Sequence, residues 1–534
     1  MPEHGVPLWP RRHWIVLAAV TAAGAILPGE AQAAPVWRND PFALGVASGS
    51  PALDSVVLWT RIAPTALPLE PGQAIPVQWE LSPDAAFNRI VARGTVQARA
   101  ELGWSVHAEP GGLESDRAYY YRFHAAGATS AVGQTRTLPD GNARRPLRLA
   151  YASCQKWEDG YFTAWRHMLQ DRPDMVLFLG DYIYEYPGTS SKLRVPGGGW
   201  VVTLEQYRAR YALYKSDPDL QAMHAACPWV LTWDDHEVQN DYAGLTPGDG
   251  VPPGGWGAMD FAARRAAAYQ AYYENMPMRA ACLTQALAGL VQGAEMRIYQ
   301  RLDWGQVASL YLLDTRQYKD AQVCTKDGKP GSAMVTPARC PAWQDAQRSM
   351  LGAAQEQWLY AQLSQAKARG SIWNILCQST LLGQRDFALE GGSRLWNDGW
   401  DGYAAARQRL TAALQQHHVP NPVVLGGDVH ENWVGHVLAD YQNPASAAIG
   451  VEFCGTSITS HAGKTDRSAE QLARNPHFVF ADSLHRGYGL ARFEDNELTV
   501  RLRVLDDVTR PDTAVSTLAS FRVRAGVPKV ERTG

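Results

Sequence analysis

Long apolar runs and an excess of charge of one sign are both missing from this sequence, and each absence excludes a class of protein. The longest apolar run of the 534-residue sequence lies near the N-terminus, and neither it nor any other run reaches the roughly 20 residues that a membrane span needs. The 50 lysines and arginines nearly balance the 53 aspartates and glutamates, which leaves a formal net charge of −3 at pH 7. No basic run of the kind that binds polyanions is present. We therefore expect no membrane span in the mature chain and no stable nucleic-acid complex.

Two catalytic signatures are also absent. The sequence has neither a G-x-S-x-G nucleophile elbow nor a G-x-x-x-x-G-K-[ST] phosphate loop. These absences disfavour a covalent serine hydrolase and a nucleotide-driven kinase. Internal repeats and low-complexity segments are missing as well, so we expect ordinary folded domains.

The N-terminal segment has the organisation of an export signal. Arg11-Arg12 precedes a 14-residue apolar run from Trp14 to Leu27, and Ala31-Gln32-Ala33 follows as a small-x-small cleavage pattern. We interpret residues 1–33 as a signal peptide. The paired arginines favour the twin-arginine export machinery as a partner, with ordinary signal-peptide charge as the alternative. The predicted location is periplasmic or secreted.

The seven cysteines are an odd number, so at least one thiol stays unpaired. An exported protein can form disulfide bonds. Cys324 and Cys340 enclose a polar loop that contains Gly328, Pro330 and Gly331, and we predict a disulfide bond between them. A second predicted pair is Cys227 with Cys282.

Residues 34–140 have the pattern of a small all-β unit. Short apolar segments at 56–59, 77–81, 119–123 and 132–137 alternate with turns that contain glycine, proline or aspartate. About 100 residues of such strands are typical of an immunoglobulin or fibronectin-type sandwich. The turn at 139–142 would lead into the next domain.

From residue 146 the pattern changes to buried strands that alternate with helices. Continuous apolar runs lie at 147–152, 175–179, 229–233, 307–313, 372–377 and 423–425, helical patterns at 261–274 and 353–368, and a hairpin pattern at 490–504. Runs of this kind are typical of strands covered on both faces. We predict an α/β layered domain over residues 146–525, a β-sandwich core flanked by helices, with loops 244–257 and 320–341 around a cleft.

Polar residues follow five of the buried runs. They are Ser153-Cys154-Gln155, Gly180-Asp181-Tyr182-Ile183-Tyr184-Glu185, Asp234-Asp235-His236-Glu237, Asp314-Thr315-Arg316 and the segment from Gly426 to Asn432, which contains Asp428 and His430. Ligands of α/β sheets bind at the carboxyl ends of the strands. Carboxylates suit Ca²⁺, Mg²⁺ or Mn²⁺, whereas a thiolate, a phenolate and an imidazole suit Fe³⁺ or Zn²⁺. The pattern predicts a site where two adjacent metals assist displacement at phosphorus.

These motifs resemble those of a known family. Gly180-Asp181 with Tyr184, Asp235-His236-Glu237 and Gly427-Asp428-Val429-His430 are similar to the calcineurin-like and purple-acid-phosphatase metallophosphoesterases. The longer segments 153–155, 180–185, 233–240, 313–318 and 426–433 resemble the PhoD-like alkaline phosphatase/phosphodiesterase family, as do 42–49 and 58–61. The resemblance extends from about residue 40 to about residue 510.

The resemblance implies phosphomonoesterase and phosphodiesterase activity with Fe³⁺ and Ca²⁺, and Zn²⁺ and Mn²⁺ stay open as alternatives. Cys154, Asp181, Tyr184 and His430 would hold the iron, and Asp181, Asp235 and Asp428, with Asn240 in addition, would bind calcium. Where purple acid phosphatases have Asn-His-Glu and His-x-His, this chain has Asp235-His236-Glu237 and Asp428-Val429-His430. Carboxylates in place of neutral ligands favour Ca²⁺ over Zn²⁺.

Two further residues are predicted to act in catalysis. His236 would bind a phosphoryl oxygen or protonate the leaving group, and Arg316 would orient the site, with a structural role as the alternative for each. Neighbouring residues of an extended segment point in opposite directions, so only one of Asp234 and Asp235 should reach the metals, and we choose Asp235. The predicted reaction is in-line attack on phosphorus by a metal-bound hydroxide or oxo group.

The combined prediction is an exported, monomeric, metal-dependent alkaline phosphatase/phosphodiesterase that acts on small or polymeric phosphate esters. One alternative is a phospholipase D-type diesterase for lipid headgroups, which would share the metal core and differ in the cleft loops. The other is a non-catalytic exported protein that binds metal or phosphate. Loss of one or two ligands would be the signature of that last alternative, and every motif here keeps its ligands.

Overall fold

A computed structural model of the chain describes residues 39–63, 72–188, 192–249, 260–283, 295–388, 390–443, 445–461, 466 and 468–534. The predicted signal peptide, residues 1–33, and part of the predicted loop 244–257 lie outside the described residues. The described residues belong to one compact unit. In the described ranges, no helix has the length and apolarity that crossing a membrane requires.

The strands and helices alternate after a purely β beginning. The strands are β1 (Val46–Gly49), β2 (Val57–Arg61), β3 (Ile75–Ser82), β4 (Ala92–Ala98), β5 (Ser105–Ala108), β6 (Ala118–Ala125), β7 (Ala128–Thr129), β8 (Gly133–Arg136), β9 (Leu147–Ala152), β10 (Met175–Leu179), β11 (Trp229–Thr232), β12 (Gln300–Trp304), β13 (Ala308–Leu312), β14 (Met334–Val335), β15 (Trp373–Cys377), β16 (Leu395–Trp396), β17 (Pro422–Gly426), β18 (Asn432–Leu438), β19 (Ala448–Cys454), β20 (Phe478–Asp482), β21 (Arg486–Phe493), β22 (Glu497–Leu505), β23 (Val515–Arg524) and β24 (Glu531–Arg532). The helices are α1 (Thr163–Asp171), α2 (Leu204–Lys215), α3 (Pro218–Ala226), α4 (Phe261–Asn275), α5 (Ala353–Ser364), α6 (Ala366–Arg369), α7 (Ala404–Gln416) and α8 (Ser468–Arg474).

Two large mixed sheets form the centre of the molecule. The first has ten strands in the order β24-β23-β22-β21-β9-β10-β11-β1-β2-β5, and the second has seven in the order β12-β13-β15-β17-β19-β18-β20. Strands β9, β10 and β11 are parallel in the first sheet, and β13, β15, β17 and β19 are parallel in the second. The carboxyl ends of each parallel set therefore lie at one edge of its sheet.

Burial on both faces explains the continuous apolar runs. Along β10, Met175, Leu177 and Leu179 join a core cluster that also contains side chains of the second sheet, whereas Val176 and Phe178 join a cluster with α1 to α4. A further cluster lies between the second sheet and the helices α5 and α7. Because side chains alternate between the faces of a strand, each sheet packs against the other sheet on one face and against helices on the other. The predicted helix-flanked β-sandwich is confirmed.

Capping residues set the starts of two helices. Before α2, the Thr203 hydroxyl accepts from the Gln206 backbone nitrogen, and the Gln206 side-chain oxygen accepts from the Thr203 backbone nitrogen. This reciprocal pair is a capping box. Before α4, the Asp260 carboxylate accepts from the Ala263 nitrogen at 2.7 Å. The predicted helix at 261–274 agrees with α4 to one residue, and the one at 353–368 corresponds to α5 and α6 together.

The separate N-terminal β domain is not confirmed, although strands are its main elements. Strand β1 pairs in parallel with β11, so β1, β2 and β5 extend the ten-stranded sheet, and only β3, β4, β6, β7 and β8 form a sheet of their own. The docking is close: the indole nitrogen of Trp59 donates to the Glu274 carbonyl at 3.0 Å. A Cβ on Gly49 would lie 2.7 Å from the Trp229 carbonyl oxygen, so this contact needs glycine. The boundary near residue 140 stays a prediction.

Of the two predicted disulfide bonds, one is confirmed and one is wrong. Cys324 and Cys340 are joined. Cys227 and Cys282 are both free: Cys227 is buried in the cluster between the first sheet and its helices, and Cys282 packs at the edge of that cluster. Both act there as small apolar side chains, and their positions in the sequence do not indicate whether they are paired or free.

Candidate metal centre

The segments that follow the parallel strands of the two sheets meet at one end of the sandwich. The Cys154 nitrogen, just after β9, donates to the Gly180 carbonyl after β10 at 3.1 Å. Across the sandwich, a Cβ on Gly427 would lie 2.4 Å from the Ser153 hydroxyl oxygen, so the segment after β17 touches the one after β9. A cavity of about 410 Å³ opens at this junction. Of the predicted site residues, those that line it are Asp181, Asp235, His236, Asn240, Asp428 and His430.

The backbone at this junction is strained at four predicted ligands. Cys154, Asp181, Asp428 and His430 have φ of 59°, 59°, 67° and 58°. Such left-handed conformations are uncommon for residues other than glycine and cost on the order of 1–3 kcal/mol each, so they persist only where the surroundings enforce them. Strain concentrated at one cavity is typical of a functional site.

The first group of side chains, which we name the thiol–phenol group, contains Cys154, Asp181, Tyr184 and His430. Ligand atoms of Cys154, Asp181 and His430 all lie within 4.8 Å of one another. The Tyr184 hydroxyl donates to the Asp181 carboxylate at 2.8 Å, lies 3.3 Å from Nε2 of His430, and accepts from the Ser460 hydroxyl at 2.7 Å. The structure thus brings together the four residues predicted to hold iron.

The second group, which we name the carboxylate group, contains Asp234, Asp235, Asp241 and Asp398. Ligand atoms of Asp235, Asp241 and Asp398 lie within 4.8 Å of one another, as do those of Asp181, Asp235 and His236. The two groups therefore adjoin through Asp181 and Asp235.

Two more predicted calcium ligands face the same cavity. Asp428 accepts from the Thr380 hydroxyl at 2.7 Å. The Asn240 amide donates to Asp249 at 2.5 Å, so its carbonyl oxygen is left for another partner. Both residues are placed beside the carboxylates rather than elsewhere on the surface.

The donor atoms of this site fit a bound cation. Oδ1 of Asp235 is buried and has no hydrogen-bond partner. Burial, followed by the charge of nearby carboxylates, raises the pKa of Asp241 to about 8. Burial also raises the pKa of Asp428 to about 6, against the opposing charge of Arg316. Buried carboxylates are normally paired or coordinate metals, and this set is only partly paired.

Arg316 lies behind the carboxylates and does not line the cavity. Its guanidinium donates to Asp234 at 2.5 Å and Asp398 at 2.7 Å, and lies 3.3 Å from Asp235, with only 1% of the side chain exposed. The structure therefore places Arg316 as a positioning residue, because it reaches the cavity only through its carboxylate partners. Asp234 turns toward Arg316 and Asp235 toward the cavity, as their adjacent positions predict.

His236 lines the cavity with one ring nitrogen already occupied. Its Nδ1 lies 2.7 Å from the Glu185 carboxylate, and its ring packs 4.1 Å from that of Tyr184. Burial alone lowers the pKa of this imidazole, but Glu185, Asp181 and Asp235 outweigh burial and raise the pKa well above its usual value. The second nitrogen, Nε2, is therefore the one available for a ligand.

Four residues that hold the site together were not singled out by sequence reasoning. Glu185 and Glu237 lie inside predicted motifs; Glu237 accepts from the nitrogens of Asp181, Tyr182 and Asp234 at 3.1, 2.6 and 2.8 Å. Asp241 comes one residue after the predicted ligand Asn240. Asp398 follows the two-residue strand β16, so no buried run pointed to it.

The chain is similar to known phosphatases over nearly its whole length. The family profile described as PhoD-like phosphatase matches residues 149–502, and the profile described as PhoD-like phosphatase, N-terminal domain, matches residues 29–139. Alkaline phosphatase D of Bacillus subtilis (strain 168) is 41% identical over an alignment of 530 residues, which covers 96% of this chain and 86% of the Bacillus protein.

Solved structures agree with that similarity. A structure of PhoD superposes with a TM-score of 0.84 at 38% identity and covers 94% of each chain. The purple acid phosphatase PPD1 from yellow lupin (Lupinus luteus) seeds superposes with a TM-score of 0.54 at 12% identity, over 92% of this chain and 75% of the lupin chain. The second likeness shows the fold alone, and that fold is the one found in metallophosphoesterases.

Proposed function

This chain belongs to the PhoD-like phosphatase family, and we propose that it is an exported phosphatase and phosphodiesterase whose centre holds Fe³⁺ and Ca²⁺. It is a hydrolase of phosphoric ester bonds in a metal-dependent family. One observation carries the finer proposal: the Cys154 thiol and the Tyr184 phenol lie next to Asp181 and His430, which line one cavity together with buried carboxylates.

The donor chemistry of the two groups supports two kinds of metal. Cys154, Asp181, Tyr184 and His430 offer the mixed donors that suit Fe³⁺, and Asp181, Asp235, Asp428 and Asn240 offer the oxygens that suit Ca²⁺. When bound, such metals act as Lewis acids that activate water and neutralise phosphoryl charge. Asp181 belongs to both sets, so its carboxylate would help to hold both metals.

The protein's own residues then position the substrate. His236, held at Nδ1 by Glu185, presents Nε2 to the substrate, where it binds a phosphoryl oxygen or donates its proton to the leaving-group oxygen. Arg316 keeps Asp234, Asp235 and Asp398 in place before substrate arrives, and Thr380 orients Asp428 through its hydroxyl. Such preorganisation limits the reorganisation needed during the reaction.

Export is supported by two independent features. The N-terminal residues 1–33 have the pattern of a twin-arginine signal. The Cys324–Cys340 disulfide bond is of a kind that persists in oxidising compartments outside the cytoplasm. We infer a periplasmic or secreted enzyme, with an N-terminal β region over residues 34–140 preceding the catalytic region at 146–525.

The test combines location, metal content and activity. We expect the protein in the periplasmic or culture fraction, with iron near one per chain and calcium by mass spectrometry, and a visible charge-transfer band. EDTA should abolish hydrolysis of p-nitrophenyl phosphate and its bis ester, and added calcium should restore it. Stoichiometric zinc without colour would overturn the iron assignment, and hydrolysis that resists chelation would overturn the metal mechanism.

A matched pair of variants tests the thiol ligand. Cys154→Ser removes the thiolate and should eliminate the visible band and lower the iron content, with activity falling at least about 100-fold. Cys282→Ser changes a free cysteine outside the cavity and should leave the band, the iron content and the activity unchanged. Retention of the band in Cys154→Ser would contradict the ligand assignment.

A further inference from the structure

One wall of the cavity is apolar, although its floor is acidic. Met334, Phe387 and Trp396 line the same cavity as Asp181 and Asp235, and all three are only half-buried. Among the described residues, the Trp396 indole has no hydrogen-bond, stacking or cation partner. Most other tryptophans of the cores are fully buried. A large aromatic face exposed inside a functional cavity is available to a ligand.

A short ribbon builds this wall. Strands β14 and β16 pair antiparallel with Met334 directly opposite Trp396, so the two side chains share one face. The Ser332 nitrogen donates to Asp241 at 3.2 Å, and the Ala333 nitrogen donates to Asn397 at 2.6 Å. The wall is thus anchored to the carboxylate group through Asp241 and does not depend on its own two short strands for its position.

The disulfide bond adds a covalent anchor to the ribbon. Cys324 and Cys340 enclose β14 within a 16-residue separation, and Cys340 packs in one cluster with Val335 and Leu395, the ribbon residues next to Met334 and Trp396. Closing the loop reduces the number of conformations open to it. Met334 and Trp396 are therefore held as a preformed surface.

The single arginine of the cavity lining does not offer a second anion site. Arg385 donates to Glu431 at 2.7 Å, and its guanidinium lies 4.4 Å from the centroid of the Phe387 ring. Among the described residues that line the cavity, no other arginine or lysine is present. Because Glu431 compensates this charge, the wall suits an uncharged group rather than a second phosphate or a carboxylate.

We propose that Met334, Phe387 and Trp396 form the subsite for the ester alcohol and select substrates in which that alcohol is aromatic or otherwise flat and apolar. The proposal rests on the proposed function, because it takes the carboxylate floor as the place where the phosphoryl group binds. The carboxylate floor and the apolar wall line the same cavity of about 410 Å³. Once the phosphoryl group is bound at the floor, the alcohol part of the ester therefore lies against the wall. Trp396 then acts as a specificity-determining residue, through its contact with the ester group.

The experiment compares an aryl ester with an alkyl ester in wild-type protein and in Trp396→Ala. Phosphate release from p-nitrophenyl phosphate and from methyl phosphate is measured, and each variant-to-wild-type ratio cancels the difference in leaving-group chemistry. For the aryl ester we expect KM to rise about tenfold with kcat nearly unchanged, since an aromatic contact of this kind is lost. For methyl phosphate both parameters should stay within about twofold.

Two further variants serve as matched controls. Trp396→Phe keeps an aromatic face and should retain most of the aryl preference. Val479→Ala removes an exposed apolar side chain outside the cavity lining and should alter neither substrate's KM. Equal changes for both esters in Trp396→Ala, or no change for either, would overturn the proposal.

A measurement on unmodified protein guards against a variant that fails to fold. Phenylphosphonate should inhibit p-nitrophenyl phosphate hydrolysis about tenfold more strongly than methylphosphonate, and equal inhibition by the two would overturn the subsite. Failure of the proposed function looks different: wild-type protein would then hydrolyse neither ester, or would do so without iron and calcium.

Discussion

The two halves of the candidate centre are stabilised by different means. Asp181 of the thiol–phenol group forms no ion pair with a lysine or arginine of the described chain, and its carboxylate accepts hydrogen bonds from the Tyr184 hydroxyl and the His236 backbone nitrogen. The carboxylate group is held by two buried cations: Arg316 contacts three of its members and Lys319 contacts Asp398 at 2.5 Å.

The difference shows how a protein keeps acidic ligands together before a metal binds. Four buried carboxylates need internal counter-charge, because an unpaired buried charge is costly. Arg316 nevertheless leaves Oδ1 of Asp235 without a partner, which keeps one ligand atom available. In the other group, strained backbone at Cys154, Asp181 and His430 does the positioning instead. The two halves should therefore respond differently to mutation, reduction and pH.

Removal of Arg316 should have the largest effect on stability. Arg316→Met leaves Asp234 and Asp235 without their cation and leaves Asp398 with Lys319 alone, so we expect the free energy of unfolding to fall by about 3–5 kcal/mol. Urea denaturation in EDTA measures this. Arg316→Lys keeps the positive charge but lacks the planar guanidinium, so its stability should lie between those of the wild-type protein and Arg316→Met. A loss below about 1 kcal/mol in Arg316→Met would show that the carboxylates do not depend on this cation.

Loss of the disulfide bond should come next. For a loop with this separation of 16 residues, the double variant Cys324→Ser/Cys340→Ser should lose about 3 kcal/mol of stability. The affinity for calcium should weaken, since the segment that leads into the ribbon donates to Asp241. The visible band should persist, because the hydrogen bonds of that segment run to Asp241 and Asn397, which are not members of the thiol–phenol group. Titration with calcium and absorbance spectra measure the two responses. Simultaneous loss of the band would show that the halves are not independent.

The smallest predicted effect is the pH dependence of the chelated protein. Because the folded-state pKa of Asp241, about 8, exceeds the value near 3.9 of an unfolded aspartate, its contribution is full below about pH 4 and declines as pH rises through 8. From pH 6.5 to 8 we expect stability to fall by on the order of 1 kcal/mol.

Two comparisons assign that pH effect to the carboxylate group. Added calcium should remove the fall, because a bound cation favours the ionised carboxylate. Asp241→Asn should reduce the fall in the chelated protein without abolishing it, because burial also raises the pKa of Asp234 to about 8. Burial raises the pKa values of Cys154 and Tyr184 well above their usual range. Neither side chain therefore ionises between pH 6.5 and 8, and neither should contribute to the pH dependence of stability. Thermal unfolding at the two pH values tests this, and an unchanged slope in Asp241→Asn would contradict the assignment.

Much of the fold was predictable where a segment is buried by the layers around it. The predicted strands at 147–152 and 175–179 coincide with β9 and β10, because strands covered on both faces show continuous apolar runs. The docking of β1 onto β11 was not predictable, since it depends on a contact between residues 180 positions apart, such as Gly49 with Trp229. The wrong pairing of Cys227 with Cys282 has the same origin.

The candidate site divides in the same way. By itself, the sequence determined which residue types follow the strands, and with them that Cys154, Asp181 and Asp235 would share one edge, because the carboxyl ends of parallel strands have a common direction. Asp428 and His430 follow β17 of the second sheet, and the packing of the two sheets brings them to that edge. Only the tertiary structure decided that Arg316 lies behind the carboxylates, that Asp398 joins them, and that Trp396 faces the cavity. These last placements depend on side-chain packing between loops distant in sequence, for which no local periodicity exists.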